Sequence, residues 1–201
     1  MTACITDSFE TAGTLTATDG GQAWIITGPA YSAASGKGYQ SVSSTTQGFA
    51  LVDLGTPNQD VTITMTLGAS YAEGGLVLRY GDANNFLAMT VDRDTTFGND
   101  RIVLERVVGG AYGLLVSYTP AGLSLGSSYT LRCVANGSSV SGYLNGSLVI
   151  NQTISLAPLG TKAGFSQHYG HDYEQPDDGT SRFDDFSACS LGGWQVGSVA
   201  I

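Results

Sequence analysis

The sequence predicts an all-β fold, namely a sandwich of two antiparallel sheets of the jelly-roll type. Gly accounts for 28 of the 201 residues and charged residues for only 12%. The surface must therefore be built largely from Ser, Thr, Asn and Gly, which suit strands and turns. Apolar and polar residues alternate in many short segments, and turn residues recur about every 8–12 residues. No segment has a helical period of useful length.

The clearest single strand is "VTITMTL", which places four apolar residues from Val61 to Leu67 on one face and threonines on the other. This is the pattern of a half-buried strand. Three hairpins follow: "GGLVLRY" and "NFLAMTV" around "GDAN", "RIVLERVV" and "YGLLVSY" around "GGA", and "SYTLRCVA" and "SVSGYLNG" around Asn136-Gly137. A further turn is predicted at Asn145-Gly146, before "SLVINQT". The segments "AWIIT", "GFALVDL" and "KAGFSQ" are also predicted strands.

The series of strands indicates one jelly-roll domain over residues 1–190, because no linker or shift in composition interrupts it. Residues 191–201 differ from the rest. Gly192-Gly193 breaks the chain, and an apolar, strand-like tail runs from Trp194 to Ile201. This tail either docks on its own domain, adds a strand to a neighbouring subunit, or stays disordered.

The charge balance restricts the partners of the protein. Eight basic and 17 acidic residues give a net charge of −9, which repels phosphate backbones and anionic membranes. We therefore expect no nucleic-acid partner and no membrane insertion, whereas sugars, cations and protein surfaces stay open. The N-terminal stretch lacks the layout of a signal peptide, so we expect synthesis in a cytoplasm without export.

The cysteines are too few for a disulfide framework, and none forms a Cys-x-x-Cys zinc motif. Cys133 is in phase with Tyr129 and Leu131 of its predicted strand. It is therefore expected to be a small buried hydrophobe.

Four segments together resemble a known family: "GGLVLRYGDANNFLAM", "LERVVGGAYGLL", "SYTLRCVANGSSVSGYLNGSLV" and "RFDDFSA". They are similar to the concanavalin A-like or laminin-G-like jelly rolls in minor tail proteins of actinobacteriophages, and the resemblance covers about Asp7 to Ala188. It implies two antiparallel sheets, one of them concave, with the first and last strands adjacent. It also implies a place in a virion, with other virion proteins and further copies of the chain as partners, and possible contact with cell-surface glycans.

If the first and last strands pair as the resemblance implies, one register sets Cys4 opposite Cys189 and Asp7 opposite Phe186. Directly opposed residues lie close enough for a disulfide. Cys4 and Cys189 are therefore expected either to be bonded or to pack as free thiols at the strand ends.

Related carbohydrate-binding jelly rolls with "FE" near the start and "DD" in the last strand often hold a structural Ca²⁺ between the termini. The matching residues here are Asp7, Glu10, Asp184 and Asp185. Carboxylates from two strands suit Ca²⁺. The alternative is that these acids are solvated or hydrogen-bonded at the edge of the sheet.

A loop near the C-terminus offers the best composition for ligand contact, since its aromatic and polar groups are typical of sugar sites. Its candidate ligand-binding residues are His168, Tyr169, His171, Asp172 and Tyr173. The alternatives are a solvent-facing loop and a transition-metal site. Arg79 lies out of phase with its apolar neighbours, so it is predicted to line the concave sheet beside Arg132 and Glu105. Either arginine is expected to bind a ligand hydroxyl or to pair with an acid across strands.

Catalysis is not expected. Glucanases of this fold carry two glutamates close together on one strand, but the four glutamates here (Glu10, Glu73, Glu105 and Glu174) are far apart in the sequence. Asp92 and Asp94 share a strand face and are more typical of a strand end. The sequence therefore favours a non-enzymatic virion protein, either a minor tail or an accessory component, with a lectin-like domain. A free-standing carbohydrate-binding module or lectin is the alternative, and a glycoside hydrolase is the weakest interpretation.

Overall fold

The structure is a computed structural model that describes residues 4–42, 47–68, 71–94, 99–155, 158–167 and 180–192. Within these ranges the regular secondary structure is entirely strand, and no helix suitable for crossing a membrane occurs there. The strands in chain order are β1 (Cys4–Asp7), β2 (Gly13–Thr14), β3 (Ile25–Thr27), β4 (Tyr31–Ala34), β5 (Lys37–Gln40), β6 (Gly48–Asp53), β7 (Gln59–Thr66), β8 (Tyr71–Asp82), β9 (Asn85–Asp94), β10 (Asn99–Val108), β11 (Ala111–Tyr118), β12 (Ser128–Asn136), β13 (Ser139–Leu144), β14 (Ser147–Thr153), β15 (Lys162–Gln167) and β16 (Arg182–Ser190).

The strands form two antiparallel sheets. The first sheet has the order β14-β13-β12-β7-β16-β5-β4-β2, with β1 also paired to β16, and the second has the order β11-β10-β9-β8-β15-β6-β3. The predicted hairpins are confirmed as β8–β9, β10–β11, β12–β13 and β13–β14. The architecture is the two-sheet antiparallel sandwich that the sequence predicts.

The main core lies between the two sheets and follows from alternation. On β7, Val61, Ile63 and Met65 are fully buried, whereas the threonines between them face outward. Side chains of the second sheet such as Leu76 and Phe165 belong to the same cluster. Burying each of these large apolar side chains contributes about 1.5–3 kcal/mol, so the alternation fixes which face of each strand points inward.

The two ends of the chain meet in the first sheet. β1 pairs with β16 in the register that the sequence predicts, with Cys4 opposite Cys189 and Asp7 opposite Phe186. Cys4 and Cys189 form a disulfide that closes a separation of 185 residues. The remaining cysteine, Cys133, is fully buried, and burial raises its pKa to about 12, so its thiol is unreactive.

A bulge in β16 lets two short strands share one of its edges. The register of β16 against β7 shifts between Asp184 and Ser187, and Asp185 has a positive φ of 51°. Residues on one side of the bulge pair with β5 and those on the other side with β1. The bulge thus turns the outer edge of β16 into two docking positions, one of them for the first strand of the chain.

Candidate functional site

The outer face of the second sheet carries a second aromatic cluster, separate from the main core. Phe49 on β6, Tyr80 on β8 and Phe86 on β9 belong to this cluster with four smaller apolar residues. The Phe49 ring centroid lies 5.0 Å from that of Tyr80 and 5.3 Å from that of Phe86. Aromatic rings at these distances stabilise each other beyond simple burial. The outer face of the second sheet is therefore packed, unlike the threonine-rich outer face of the first.

Gly164 explains how side chains of β6 and β8 meet although β15 separates them. In the register, Gly164 lies between Leu51 on β6 and Val77 on β8, and it adds no side chain to this face. A Cβ atom at this position would overlap the carbonyl oxygen of Ala50. Only glycine therefore fits there, and its absence of a side chain lets the flanking residues make contact.

A hydrogen bond across the outer face shows that the second sheet is concave. The hydroxyl of Tyr112 on β11 donates to Oε1 of Gln47, just before β6, at 3.0 Å. Four strands lie between β6 and β11, so a flat sheet would hold them about 24 Å apart. The two side chains meet only because the sheet curves over this face, as the resemblance implies for one of the sheets.

The candidate site is the group formed by Gln47, Glu73, Glu105 and Tyr112, which we call the Tyr112 patch. The Tyr112 side chain is 39% exposed and rests edge-on against Phe86, with ring centroids 6.2 Å apart. Burial raises the pKa of the Tyr112 phenol, and the carboxylates of Glu105 and Glu73 raise this pKa further. The patch thus combines an accessible ring, an amide and two carboxylates in a negative potential.

The register places the carboxylates on the same face as Tyr112. Glu105 lies opposite Leu114, which is two residues from Tyr112 on β11. Glu73 lies opposite Asp92 on β9, and Asp92 accepts a hydrogen bond from Nε of Arg101 at 2.7 Å. The charge of Arg101 is thereby paired with that of Asp92.

One further polar group lies on this face. Ser166 on β15 sits opposite Phe49 and Gly75 and is fully buried. Its hydroxyl has no hydrogen-bond partner. An unpartnered buried hydroxyl is costly, and because Ser166 is fully buried this hydroxyl is out of reach of a ligand on the surface.

The predicted ligand loop cannot be placed on this face. His168, Tyr169, His171, Asp172 and Tyr173 lie outside the described residues, as does the tail from 193 to 201. Their suggested role in ligand contact stays a prediction. β15 ends at Gln167 on the concave sheet.

The prediction that Arg79 contacts a ligand is wrong. Arg79 is fully buried, with Nε donating to the carbonyl of Pro57 at 2.8 Å and Nη2 to that of Gly137 at 2.6 Å. Strict alternation would place it opposite Leu78, but the register shifts after Leu78, and Arg79 has a φ of 51°. The bulge turns the side chain into the protein, where it ties β8 to two loops of the first sheet.

Arg132 faces outward on the first sheet, away from the concave face. It makes a bidentate ion pair with Asp60, at 2.8 and 2.7 Å, and lies over the Tyr143 ring at 5.1 Å. Of the two predicted roles, ligand contact and pairing with an acid, Arg132 therefore has the second.

The carboxylates predicted to hold Ca²⁺ have separate surroundings. Asp7 is buried and accepts hydrogen bonds from the Phe9 backbone and from Trp24 Nε1, both at 2.7 Å. Asp184 forms an ion pair with Lys37, and the side chain of Glu10 lies beside Gly36. In the described part of the chain, no three carboxylate, imidazole or thiol groups are arranged to hold a metal.

A shallow depression of about 220 Å³ does lie beside Asp7, Asp19 and Asp185 at the edge of β1 and β16. Its residues are not the predicted set, because Glu10 and Asp184 are absent from it. Calcium stays a prediction, and a melting temperature that a chelator leaves unchanged would count against it.

Sequence reasoning missed the Tyr112 patch. Tyr112 was placed only as a strand residue, Glu105 was considered only beside Arg79 and among the four separated glutamates, and Gln47 was assigned no role. The alternation within "YGLLVSY" puts Tyr112 on one face, but it does not reveal that this face is concave or that Gln47, 65 residues away, lies against it. The available signal was the absence of an alternating polar face on β6 and β9, which indicates strands buried on both sides.

The sequence matches no family model and no curated protein. Solved structures do match in fold. A carbohydrate-binding module, CBM66 from Bacillus subtilis, is 17% identical, with 89% of this chain and 91% of that chain covered and a TM-score of 0.51. Domain 4 of AbnA, an extracellular GH43 arabinanase from Geobacillus stearothermophilus in complex with arabinotriose, is 12% identical, with 94% and 93% covered and a TM-score of 0.58. The carbohydrate recognition domain of Emp47p is 12% identical, with 94% and 95% covered and a TM-score of 0.60.

The fold class is therefore the two-sheet antiparallel jelly roll that these structures share. At such low identity the likeness concerns the fold alone, because this fold carries many unrelated activities.

Proposed function

We propose that this chain is a non-catalytic carbohydrate-binding domain that holds glycans on the concave face of the second sheet, at the Tyr112 patch. The observation that carries the proposal is the Tyr112 ring, 39% exposed on a concave aromatic face and fixed at its hydroxyl by Gln47. Carbohydrate sites commonly combine one stacking ring with a few polar groups that fix the orientation of the sugar.

The groups around the ring match that requirement. Glu73 and Glu105 offer acceptors for sugar hydroxyls, and the Gln47 amide offers a donor as well as the acceptor that Tyr112 uses. The ring itself is supported from below by Phe86. A sugar stacked on Tyr112 would therefore meet hydrogen-bonding groups on its edge without any rearrangement of the strands.

The names of structures with a similar fold support the proposal by analogy. One is a carbohydrate-binding module, another is a carbohydrate recognition domain, and a third was solved with arabinotriose. Asp92 and Asp94 were the only acids considered as a catalytic pair. Asp92 is held in an ion pair with Arg101, which favours binding without catalysis. That pairing leaves Asp92 poorly suited to act as a proton donor.

The test is a glycan-binding measurement with the purified protein and a pair of matched variants. Tyr112→Ala should abolish binding to an array of neutral and amino-sugar oligosaccharides. Tyr143→Ala, an aromatic change on the outer face of the other sheet, should leave it intact. Loss of binding in both variants, or in neither, would exclude the Tyr112 patch, and an array without any binding would overturn the proposed function.

The second part of the proposal is the setting: a minor tail or accessory component of a phage virion, with other virion proteins and copies of itself as partners. It is supported only by the sequence resemblance described above. Repeated copies on a particle would convert weak binding at single sites into avidity. Mass spectrometry of purified particles, followed by a density map, tests this setting, and a free monomer that retains glycan binding would favour the free-standing lectin.

A further inference from the structure

We propose that the Tyr112 patch selects amino sugars with a free ammonium group over neutral sugars, and disfavours acidic sugars. This inference rests on the proposed function, because it assigns a ligand class to the same site. It starts from the charges on the concave face. Glu73 and Glu105 lie on the same face as the exposed Tyr112 ring, and the nearby Arg101 is neutralised by Asp92.

The arrangement of carboxylates around an aromatic ring is what recognises an ammonium group. A cation over the face of a tyrosine ring is attracted by the ring quadrupole, and neighbouring carboxylates accept its charge-assisted hydrogen bonds. Both carboxylates act on the Tyr112 phenol, whose pKa they raise, so both lie within electrostatic reach of a ligand stacked there. A sugar carboxylate in the same position would meet two like charges, and the charge of nearby Arg101 is already paired with that of Asp92.

The rest of the molecule strengthens this preference. The net charge of −9 attracts cationic ligands at long range and repels anionic ones. Three described basic groups outside the site are paired with acids: Lys37 with Asp184, Arg93 with Asp100 and Arg132 with Asp60. These pairs reduce the number of positive charges that could offset the carboxylates of the concave face.

The experiment compares four oligosaccharides by isothermal titration calorimetry: the glucosamine tetramer, chitotetraose, cellotetraose and the galacturonic acid tetramer. The first three differ only in the C2 substituent, which is an ammonium, an acetamide or a hydroxyl group. We expect the glucosamine tetramer to bind about fivefold tighter than cellotetraose for each carboxylate engaged, the size of a partly exposed ion pair. We expect the galacturonic acid tetramer to bind most weakly, and added salt to narrow these differences.

Two variants separate a specific contact from general attraction. Glu105→Gln and Glu73→Gln should each reduce the preference for the glucosamine tetramer. Glu10→Gln, which removes the same charge from the exposed side chain beside Gly36, should retain it. An unchanged preference in Glu105→Gln and Glu73→Gln, or an equal loss in Glu10→Gln, would overturn the inference.

The remaining outcomes also decide the question. Equal affinity for cellotetraose and the glucosamine tetramer would overturn the ammonium preference while leaving glycan binding in place. Tetralysine that binds as tightly as the glucosamine tetramer would show that the site is a general cation surface, which also overturns it. If no oligosaccharide binds, the proposed function fails together with the inference.

Discussion

The carboxylate of Asp7 accepts the indole N–H of Trp24 inside the sandwich, at 2.7 Å. This bond joins the first strand to a ring that packs 5.5 Å from Phe165 and 5.0 Å from Phe186, so one buried acid links both sheets and both ends of the chain. Trp24 is 7% exposed and belongs to the main core.

The stability of the protein should depend on the protonation of Asp7. Burial raises the pKa of Asp7 above its ordinary value of 3.8, although hydrogen bonds from Trp24 and Phe9 oppose the rise, and Asp19 adds to it. The folded state therefore binds this proton more tightly than the unfolded state. The contribution of Asp7 to stability is full below about pH 3.8 and is lost as the pH rises through the raised folded value.

The variant Asp7→Asn isolates this effect. It should be destabilised because one of the two donors loses its acceptor, at a cost of about 1–3 kcal/mol. The free-energy difference between the wild type and Asp7→Asn, from urea unfolding between pH 3 and pH 7, should shrink as the pH rises. A free-energy difference between the wild type and Asp7→Asn that stays constant from pH 3 to pH 7 would contradict a raised pKa of Asp7 in the folded state.

Removing the disulfide should destabilise the fold strongly. Cys4 and Cys189 close a loop with a sequence separation of 185, for which the chain-entropy account gives about 5 kcal/mol. Cys4→Ser with Cys189→Ser should lower the denaturant midpoint accordingly. Reductant should shift the wild type to the same midpoint and leave the double variant unchanged, and a wild type that ignores reductant would show that the bond contributes little.

Arg79 should matter for stability and not for ligand binding. In Arg79→Lys, one ammonium group cannot replace the guanidinium that serves both Pro57 and Gly137. We expect a loss of about 1–3 kcal/mol in the free energy of unfolding, with glycan affinity unchanged in the folded variant. The matched change Arg132→Lys, at an exposed ion pair with Asp60, should cost less than about 1 kcal/mol.

The opposite result would revise this account of Arg79. A larger loss for Arg132→Lys would mean that the exposed pair and not the buried contacts stabilises the sandwich. Reduced glycan affinity in Arg79→Lys would return Arg79 to the binding site.

The hydrogen bond between Tyr112 and Gln47 should support ligand binding by fixing the ring. In Gln47→Ala the Tyr112 side chain regains rotamer freedom, which binding must then remove, so affinity should fall about three- to tenfold. Thermal stability should hardly change, because the bond is solvent-exposed. Gln22→Ala, at another exposed glutamine, serves as the control for calorimetric titration. Unchanged affinity in Gln47→Ala would show that the ring needs no such support.

Local sequence patterns were sufficient to predict the hairpins between β8 and β14. They were insufficient to predict the hairpin of β4 and β5. Strands such as β7, β12 and β13 alternate buried and more exposed residues, so burial on one face decides their conformation. The hairpin of β4 and β5 was not predicted, because "YSAA" contains mostly small residues and "KGYQ" has no alternation of apolar and polar residues. β4 and β5 pair with each other across the Ser35-Gly36 turn, where both residues have positive φ. They are also held by pairing with β2 on one side and β16 on the other.

The register of the terminal strands could be predicted because residues that pair in antiparallel strands add to a constant number. Once Cys4 faces Cys189, every other pair of β1 and β16 follows. The surroundings of the acids could not be predicted in the same way. The bulge at Asp185 and the inward turn of Asp7 depend on contacts with Lys37 and Trp24, which are remote in the sequence.

The sequence by itself determined the all-β class and the hairpins, since each follows from alternation or turn residues within short segments, whereas the pairing of the chain ends was implied by the family resemblance. Only the tertiary structure decided that Arg79 is internal and that Gln47 and Tyr112 share one face. A bulge reverses the direction of a side chain, and the curvature of a sheet sums small twists over many strands, so neither can be read from neighbouring residues. The candidate site exists because of that curvature.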